Sequence, residues 1–171
     1  MRPQKPIDAA GLQALALHYA ARFATTSTKL RQYLQRKLRE RPWVGEGTPD
    51  LDGLVARLVA LGYVDDAGWA AMKRRAMTAR GLGPRRVAQA LNAAGVSDEP
   101  EEAENPIVAA VRFAQRRRLG PFRREGTAMD EAGERRAVAA MLRAGHSFDV
   151  TRRVLAARDA AAADALAQDD G

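Results

Sequence analysis

The sequence predicts an all-α fold whose helices group in threes. Three observations carry that prediction. Apolar residues recur three and four positions apart along most of the chain, with no sustained alternation of the kind a half-buried strand requires. Proline and glycine fall where helices would start and stop. Aromatic residues make up only 5% of the chain, thin for a β-rich core. A length of 171 residues suits one domain or a few small units sharing a continuous core.

Taken in order, the first stripe is Leu12, Leu15, Ala16, Tyr19 and Phe23, and the second is Leu30, Tyr33, Leu34 and Leu38. Leu51, Leu54, Val55, Leu58 and Leu61 make a third, followed by Trp69, Met72 and Ala76. Val87, Ala90 and Leu91 come next, then Ile107, Val108, Val111 and Ala114. The last two stripes are Val138, Met141 and Leu142, then Val150, Val154 and Leu155. Thr48-Pro49, Gly83-Pro84 and Asn105-Pro106 each place a cap-type residue before a proline at the first helical position, where the missing N–H is no loss. Gly62, Gly81, Gly95 and Gly145 each follow a periodic run, as glycines that end helices do. About eight helices result. The stretches 41–48 and 96–104 read as irregular, the second as an acidic, solvated loop. The Ala-rich tail from Ala156 is expected to fray beyond Ala163.

Three segments share a pattern of a small or cap-type residue followed by two aliphatics four apart: Thr26 to Leu34, Gly83 to Leu91, and His146 to Val154. Their ends lie 57 and 63 residues apart. This suggests tandem three-helix repeats over 1–64, 65–125 and 126–171, the last shorter. Units of that size hide little apolar surface alone and would stack into an elongated array.

The chain has 28 Lys+Arg against 21 Asp+Glu, a net charge of +7, and no Cys. The absence of Cys excludes disulfides, thiolate metal sites and Cys nucleophiles. The positive charge points to a polyanion or an acidic protein surface as partner. It is clustered, and it is mostly arginine, which forks onto phosphate or carboxylate. Residues 71–90 contain no acid at all. Catalytic signals are weak. His18 and His146 are far apart, Gly81-Leu82-Gly83 lacks the strand and third glycine of a dinucleotide site, and no Walker motif is present. Asp65 and Asp66 read as helix caps rather than as an acid/base pair. No catalytic residue, metal ligand or cofactor is expected. No signal segment is read between Met1 and Ala24 and no membrane span anywhere, so a soluble, cytoplasmic protein is expected.

The run Leu58 to Met72, with Gly62-Tyr63-Val64-Asp65-Asp66 and Trp69, followed by Arg80-Gly81-Leu82-Gly83-Pro84-Arg85-Arg86-Val87 and Leu91 to Val96, resembles the RecX family of recombinase regulators. Leu34 to Leu38 resembles the family's Leu-x-x-Lys-Leu helix. The match covers roughly residues 26–96; beyond it only helical pattern and arginine content agree. The resemblance implies tandem three-helix repeats in a curved, elongated shape. It implies structural roles for Gly62, Asp65, Asp66, Trp69, Gly83, Pro84 and Gly95. It also implies a non-enzymatic protein that binds RecA recombinase and its filament on single-stranded DNA, suppressing its ATPase, strand-exchange and coprotease functions in recombination and the SOS response. Charge clustering, independently of any family motif, nominates Arg74, Arg75, Arg80, Arg85, Arg86, Arg116, Arg117 and Arg118 as the contact surface, with Arg36 and Lys37 in support. Weak contact with single-stranded or duplex DNA and a monomeric state are further expectations. The alternative is a direct DNA-binding regulator, for which Arg85, Arg86, Gln89 and Asn92 on the fifth helix would read base edges.

Overall fold

A computed structural model describes residues 5–97, 105–124 and 130–169. The acidic stretch 98–104, read above as a solvated loop, lies outside the described residues. So do 125–129 and 170–171.

Among the described residues the chain forms nine α-helices: α1 Ala9–Arg22, α2 Ser27–Glu40, α3 Leu51–Ala60, α4 Asp66–Ala79, α5 Pro84–Asn92, α6 Pro106–Arg117, α7 Glu131–Arg143, α8 Phe148–Leu155 and α9 Ala160–Asp169. A short 3-10 turn spans Gly120–Phe122. No strand is present among the described residues. A single parallel bridge pairs Ile7 with Trp43, closed by Ile7 N–H to Pro42 O and Val44 N–H to Ile7 O, both 2.9 Å. The ninth helix corrects the expected count of about eight, and α9 continues to Asp169 where fraying beyond Ala163 was expected. Its start is fixed by Asp159, whose carboxylate accepts Ala162 N–H at 2.7 Å.

Two compact units divide the chain. The first comprises Met1–Ala71 and Asn92–Val96; the second comprises Met72–Leu91 and Ser97–Gly171. In the first, α1, α2 and α3 pack together around Leu12, Ala16, Leu30, Leu34, Val55 and Leu58, with Ile7 and Val64 closing the ends. In the second, α6 is the hub. It packs on α7, α8 and α9 through Ile107, Ala110, Val111 and Ala114 against Met141 and Val154. Most stripe positions are buried or half-buried, as the periodicity requires. Phe23, Leu61, Met72, Ala76 and Leu142 are exposed: Phe23 and Leu61 lie just past their helix ends, and nothing packs over Met72, Ala76 and Leu142 among the described residues.

Four helix starts share one chemistry. Asp8, Asp50, Asp65 and Asp130 each accept the backbone N–H of the residue three positions on, at 2.7–2.9 Å. In every case that residue is glycine: Gly11, Gly53, Gly68 and Gly133. At Gly53 and Gly68 a Cβ would run into the capping carboxylate itself. Pro49 therefore sits outside α3, which is capped by Asp50 and not by Thr48 as the Thr-Pro pair suggested. Asn105 and Pro106 do start α6 as expected, with the Asn105 side chain accepting Ile107 N–H at 2.9 Å. The Asp-x-x-Gly cap opens α1, α3, α4 and α7, and the α1–α2, α4–α5 and α7–α8 connections are all four residues long. Nine helices in this order are consistent with three sets of three.

The turn before α5 differs. Gly83 offers no side chain, and the first N–H groups of α5 are met by another turn of the same unit. Gly83 N–H donates to Ala144 O at 2.9 Å and Arg85 N–H to Gly145 O at 3.2 Å. A Cβ on Gly83 would lie 2.5 Å from the Gly145 carbonyl. We expect Gly83→Ala to destabilise the protein by about 2–3 kcal/mol through this overlap. Gly62→Ala, at a positive φ of 75° but with open space around it, should cost only about 1–2 kcal/mol. Urea unfolding of the two variants tests that order.

Candidate functional site: an arginine surface

The two motif carboxylates hold different helices. Asp65 caps α4 through Gly68 N–H. Asp66 is already inside α4, and its Oδ1 accepts Ser27 N–H at 2.8 Å, which ties the start of α2 to the start of α4 within the first unit. Thr26 completes the knot: its hydroxyl accepts Lys29 N–H at 3.2 Å and donates to Ala94 O at 2.7 Å. Gly95 follows with φ 74°, and a Cβ there would strike Thr28. Trp69 is buried at 8% exposure, with Lys29 Nζ 4.0 Å above its ring. Gly62 ends α3 at φ 75°, where Tyr63 N–H reaches back to Leu58 O at 2.9 Å.

In the second unit the α4–α5 and α7–α8 turns meet reciprocally. Gly83 N–H donates to Ala144 O, and His146 Nε2 pairs with Gly81 O at 3.0 Å. Gly83 and His146 stand 63 residues apart, as do Gly81 and Ala144, so the two contacts join the same pair of turns in opposite senses. His146 is 1% exposed and lies against Phe113, ring centroids 5.7 Å apart. Burial pushes its pKa below the ordinary value of 6.5, and the contact with the Gly81 carbonyl only partly opposes this. Gly81 rests on the α6 backbone, where a Cβ would lie 2.7 Å from Phe113 N.

This joint brings most of the nominated arginines onto neighbouring elements. Arg80 is in the turn itself; Arg85 and Arg86 are in the first turn of α5; Arg116 and Arg117 end α6, one turn beyond the Gly81 contact. Arg75, Arg80, Arg85, Arg86, Arg116, Arg117 and Arg118 are exposed, while Arg74 is half-buried. Arg75, Arg80, Arg85 and Arg116 to Arg118 have no carboxylate oxygen within 4.0 Å among the described residues. Arg86 donates to Gln89 Oε1 at 2.7 Å. Two local rules are broken here. Arg85 and Arg86 put positive charge on the positive end of a helix dipole. Arg118 caps α6 at φ 53°, a left-handed conformation that favours glycine.

Arg36 and Lys37 are a different case. They belong to the first unit, on α2, and both pair with Glu40, Arg36 at 3.7 Å and Lys37 at 2.7 Å. The Lys37 hydrogen bond, helped by the charges of Lys37, Arg36 and Arg39, holds the Glu40 carboxyl below its ordinary range. Their charge is thus partly cancelled.

No group of three or more His, Asp or Glu arranged to hold a metal occurs among the described residues. Nor is any described helix long and apolar enough to cross a membrane. Sequence reading found the Asp65 cap of α4 but missed the same Asp-x-x-Gly spacing at Asp8, Asp50 and Asp130. It also missed the pairing of Gly83 with Ala144 and the left-handed Arg118, for which no local signal exists.

Fold and surface together define a basic, all-helical protein with arginines displayed around one glycine turn. No family model matches the chain. Two curated proteins do. The regulatory protein RecX of Myxococcus xanthus (strain DK1622) is 33% identical over 171 aligned residues, covering 90% of this chain and 88% of its own. The regulatory protein RecX of Agrobacterium fabrum (strain C58 / ATCC 33970) is 31% identical over 159, covering 88% and 85%. The chain belongs to the RecX family of regulatory proteins.

The buried His146 gives a pH signature. Its pKa is lowered on folding, so the unfolded chain binds the proton more readily. The stability it contributes is present above pH 6.5 and is lost as the pH falls from there toward the folded value. Thermal melts should show the wild type losing stability below pH 6.5 faster than His146→Gln.

Proposed function

We propose that this protein is a regulator without chemistry of its own that binds RecA recombinase, chiefly its active filament on single-stranded DNA. It inhibits ATP hydrolysis, strand exchange and coprotease action in recombination and the SOS response. Membership of the RecX family supports the RecA partner. The observation that carries the contact surface is the group of exposed arginines around the α4–α5 turn and the end of α6 that have no carboxylate partner among the described residues. Such a surface complements an acidic protein groove and the phosphates of a bound strand. The working organisation is three helical repeats, 1–64, 65–125 and 126–171, acting as a monomer in the cytoplasm without metal or cofactor.

The direct test adds the purified protein to a RecA filament on single-stranded DNA and follows ATP hydrolysis. Inhibition at or below equimolar protein is the expected result, and none at that level would sink the reading. Reversing Arg85/Arg86 and Arg116/Arg117 to Glu should raise the inhibitor concentration needed by about tenfold or more. Reversing Arg36/Lys37 should matter less, about threefold, because Glu40 already offsets them.

Arg118 allows a sharper check. Arg118→Gly relieves the left-handed strain and should stabilise the protein by about 1 kcal/mol. The same change should weaken inhibition. Gain of stability with unchanged inhibition would remove Arg118 from the surface.

A second reading, direct recognition of duplex DNA, rests on Arg85, Gln89 and Asn92, which lie along one exposed side of α5. Gln89 is already engaged by Arg86, which occupies the amide oxygen that a base edge would need. Site-preferring, steeply salt-dependent binding to bare duplex would favour this second reading.

A further inference from the structure

The first unit carries an aromatic cluster that the arginine surface does not use. Tyr19 on α1 and Tyr33 on α2 stack with ring centroids 4.2 Å apart and planes 16° from parallel. Phe23, just past the end of α1, extends the stack; its ring centroid lies 5.2 Å from that of Tyr19, tilted by 48°. Three cations border the rings. The Arg22 guanidinium carbon is 5.7 Å from the Phe23 centroid, and the Arg36 guanidinium carbon and Lys37 Nζ are 5.5 and 5.8 Å from that of Tyr33.

Packing accounts for only part of this cluster. Tyr19 and Tyr33 are half-buried and rest on the core of α1, α2 and α3. Phe23 stands outside that core and is 50% exposed. Its place is nonetheless fixed, because its N–H donates to Tyr19 O at 3.0 Å and its ring lies against a tyrosine that is itself stacked. The surroundings are positive. No Asp or Glu occurs between residues 9 and 39. Arg22 is exposed and has no carboxylate oxygen within 4.0 Å among the described residues. Glu40 pairs with Arg36 and Lys37 and offsets one of the three charges, so a positive excess remains.

We propose that the Tyr19–Tyr33–Phe23 cluster is a stacking platform for a base of single-stranded DNA, with Arg22 on the neighbouring phosphate. A fixed, half-exposed ring beside surplus positive charge matches a flat π-face carried on an anionic backbone. An acidic side chain would satisfy the cations and leave the ring in water. A base pair in a duplex has both faces closed by its neighbours, so the strand must be single. The choice of DNA over RNA rests on the function proposed above, in which the partner filament carries a DNA strand. The sequence hides this platform, because its rings come from two helices and meet only when α1 packs on α2.

The test measures binding of fluorescent strands to the full chain by anisotropy. One strand is a thymidine oligomer of about twelve nucleotides, and the other has the same backbone with abasic sites throughout. Phosphate contacts anywhere on the chain act on both alike, so their difference reports the bases. The wild type should bind the thymidine strand at least about tenfold more tightly. Phe23→Ala should remove that difference, and Phe23→Trp, which restores a flat ring, should keep it. Arg22→Ala should weaken both strands and lower the slope of log K against log salt by about 0.7, one phosphate contact. Equal binding of the two strands by the wild type would overturn the proposal, leaving charge alone. A base preference that survives Phe23→Ala would place the bases elsewhere and overturn it too. Tighter binding of a uridine strand of equal length would overturn the choice of DNA. Loss of ATPase inhibition in Phe23→Ala with unchanged strand binding would overturn the proposal and assign the cluster to RecA itself. The strand measurement contains no RecA, so it and the ATPase experiment fail separately.

Discussion

The second unit depends on two turns that touch backbone to backbone. A Cβ on Gly83 would strike the Gly145 carbonyl, one on Gly145 would strike the Arg86 backbone at the start of α5, and Gly81 sits as tightly on α6. That approach lets the carbonyls of Ala144 and Gly145 take up N–H groups at the start of α5, which has no side-chain cap. It also encloses His146, whose ring then needs the Gly81 carbonyl. Remove the closeness, and α5 loses its cap and His146 its partner together. A contact made of backbone is less forgiving than one made of side chains, because no rotamer can yield to relieve it.

The first unit reaches the same end by different means. Its joint is built from side chains: the Asp66 carboxylate on the α2 backbone, and the Thr26 hydroxyl on the Ala94 carbonyl. Asp65 and Asp66 each satisfy an N–H group at a different helix start, one at its own and one at a neighbour's. The family's Asp-Asp turn therefore has a physical meaning that neither residue has alone.

Much of this was legible in the sequence. Leu12, Leu30, Leu34, Leu58 and Met141 are buried where a 3.6-residue period puts them. Gly62, Gly81, Gly95 and Gly145 all take positive φ, as glycines after periodic runs should. Local signals failed at margins and at distance. Pro49 mimics a helix start, but the stronger cap, Asp50, moves the boundary by two residues. Met72 and Leu142 fit apolar stripes and face water, because periodicity gives a direction on a helix but not whether anything packs there. The α9 helix was hidden by an Ala-rich composition with few large apolar residues. Ala163 is nevertheless fully buried, and small residues are what allow helices to approach closely. For the candidate site, the arginine clusters were visible, but their convergence on one turn was not. It depends on Gly81 meeting Phe113 and Gly83 meeting Gly145, contacts between residues far apart in the chain.

The backbone character of the joint has a consequence for what the surface can do. Arg80, Arg85 and Arg86 are next to the glycines, yet their side chains are exposed and take no part in holding the turns together. Their charges work against the α5 dipole, and nothing in the described structure neutralises Arg80 or Arg85. A fold selected only for stability would place acids at that helix start, as it does at α7 with Glu131 and Glu134. The departure occurs where the fold is most rigidly fixed and least dependent on side chains. Rigidity of the turn gives the guanidinium groups a defined base from which to meet a partner, and because no guanidinium bonds across the joint, Arg86 bonding only to Gln89 on its own helix, they are free to be changed without unfolding the turn. Binding and folding are thus separable at this place, residue by residue, in a way they are not at Asp66 or Thr26, where the side chain is itself the joint.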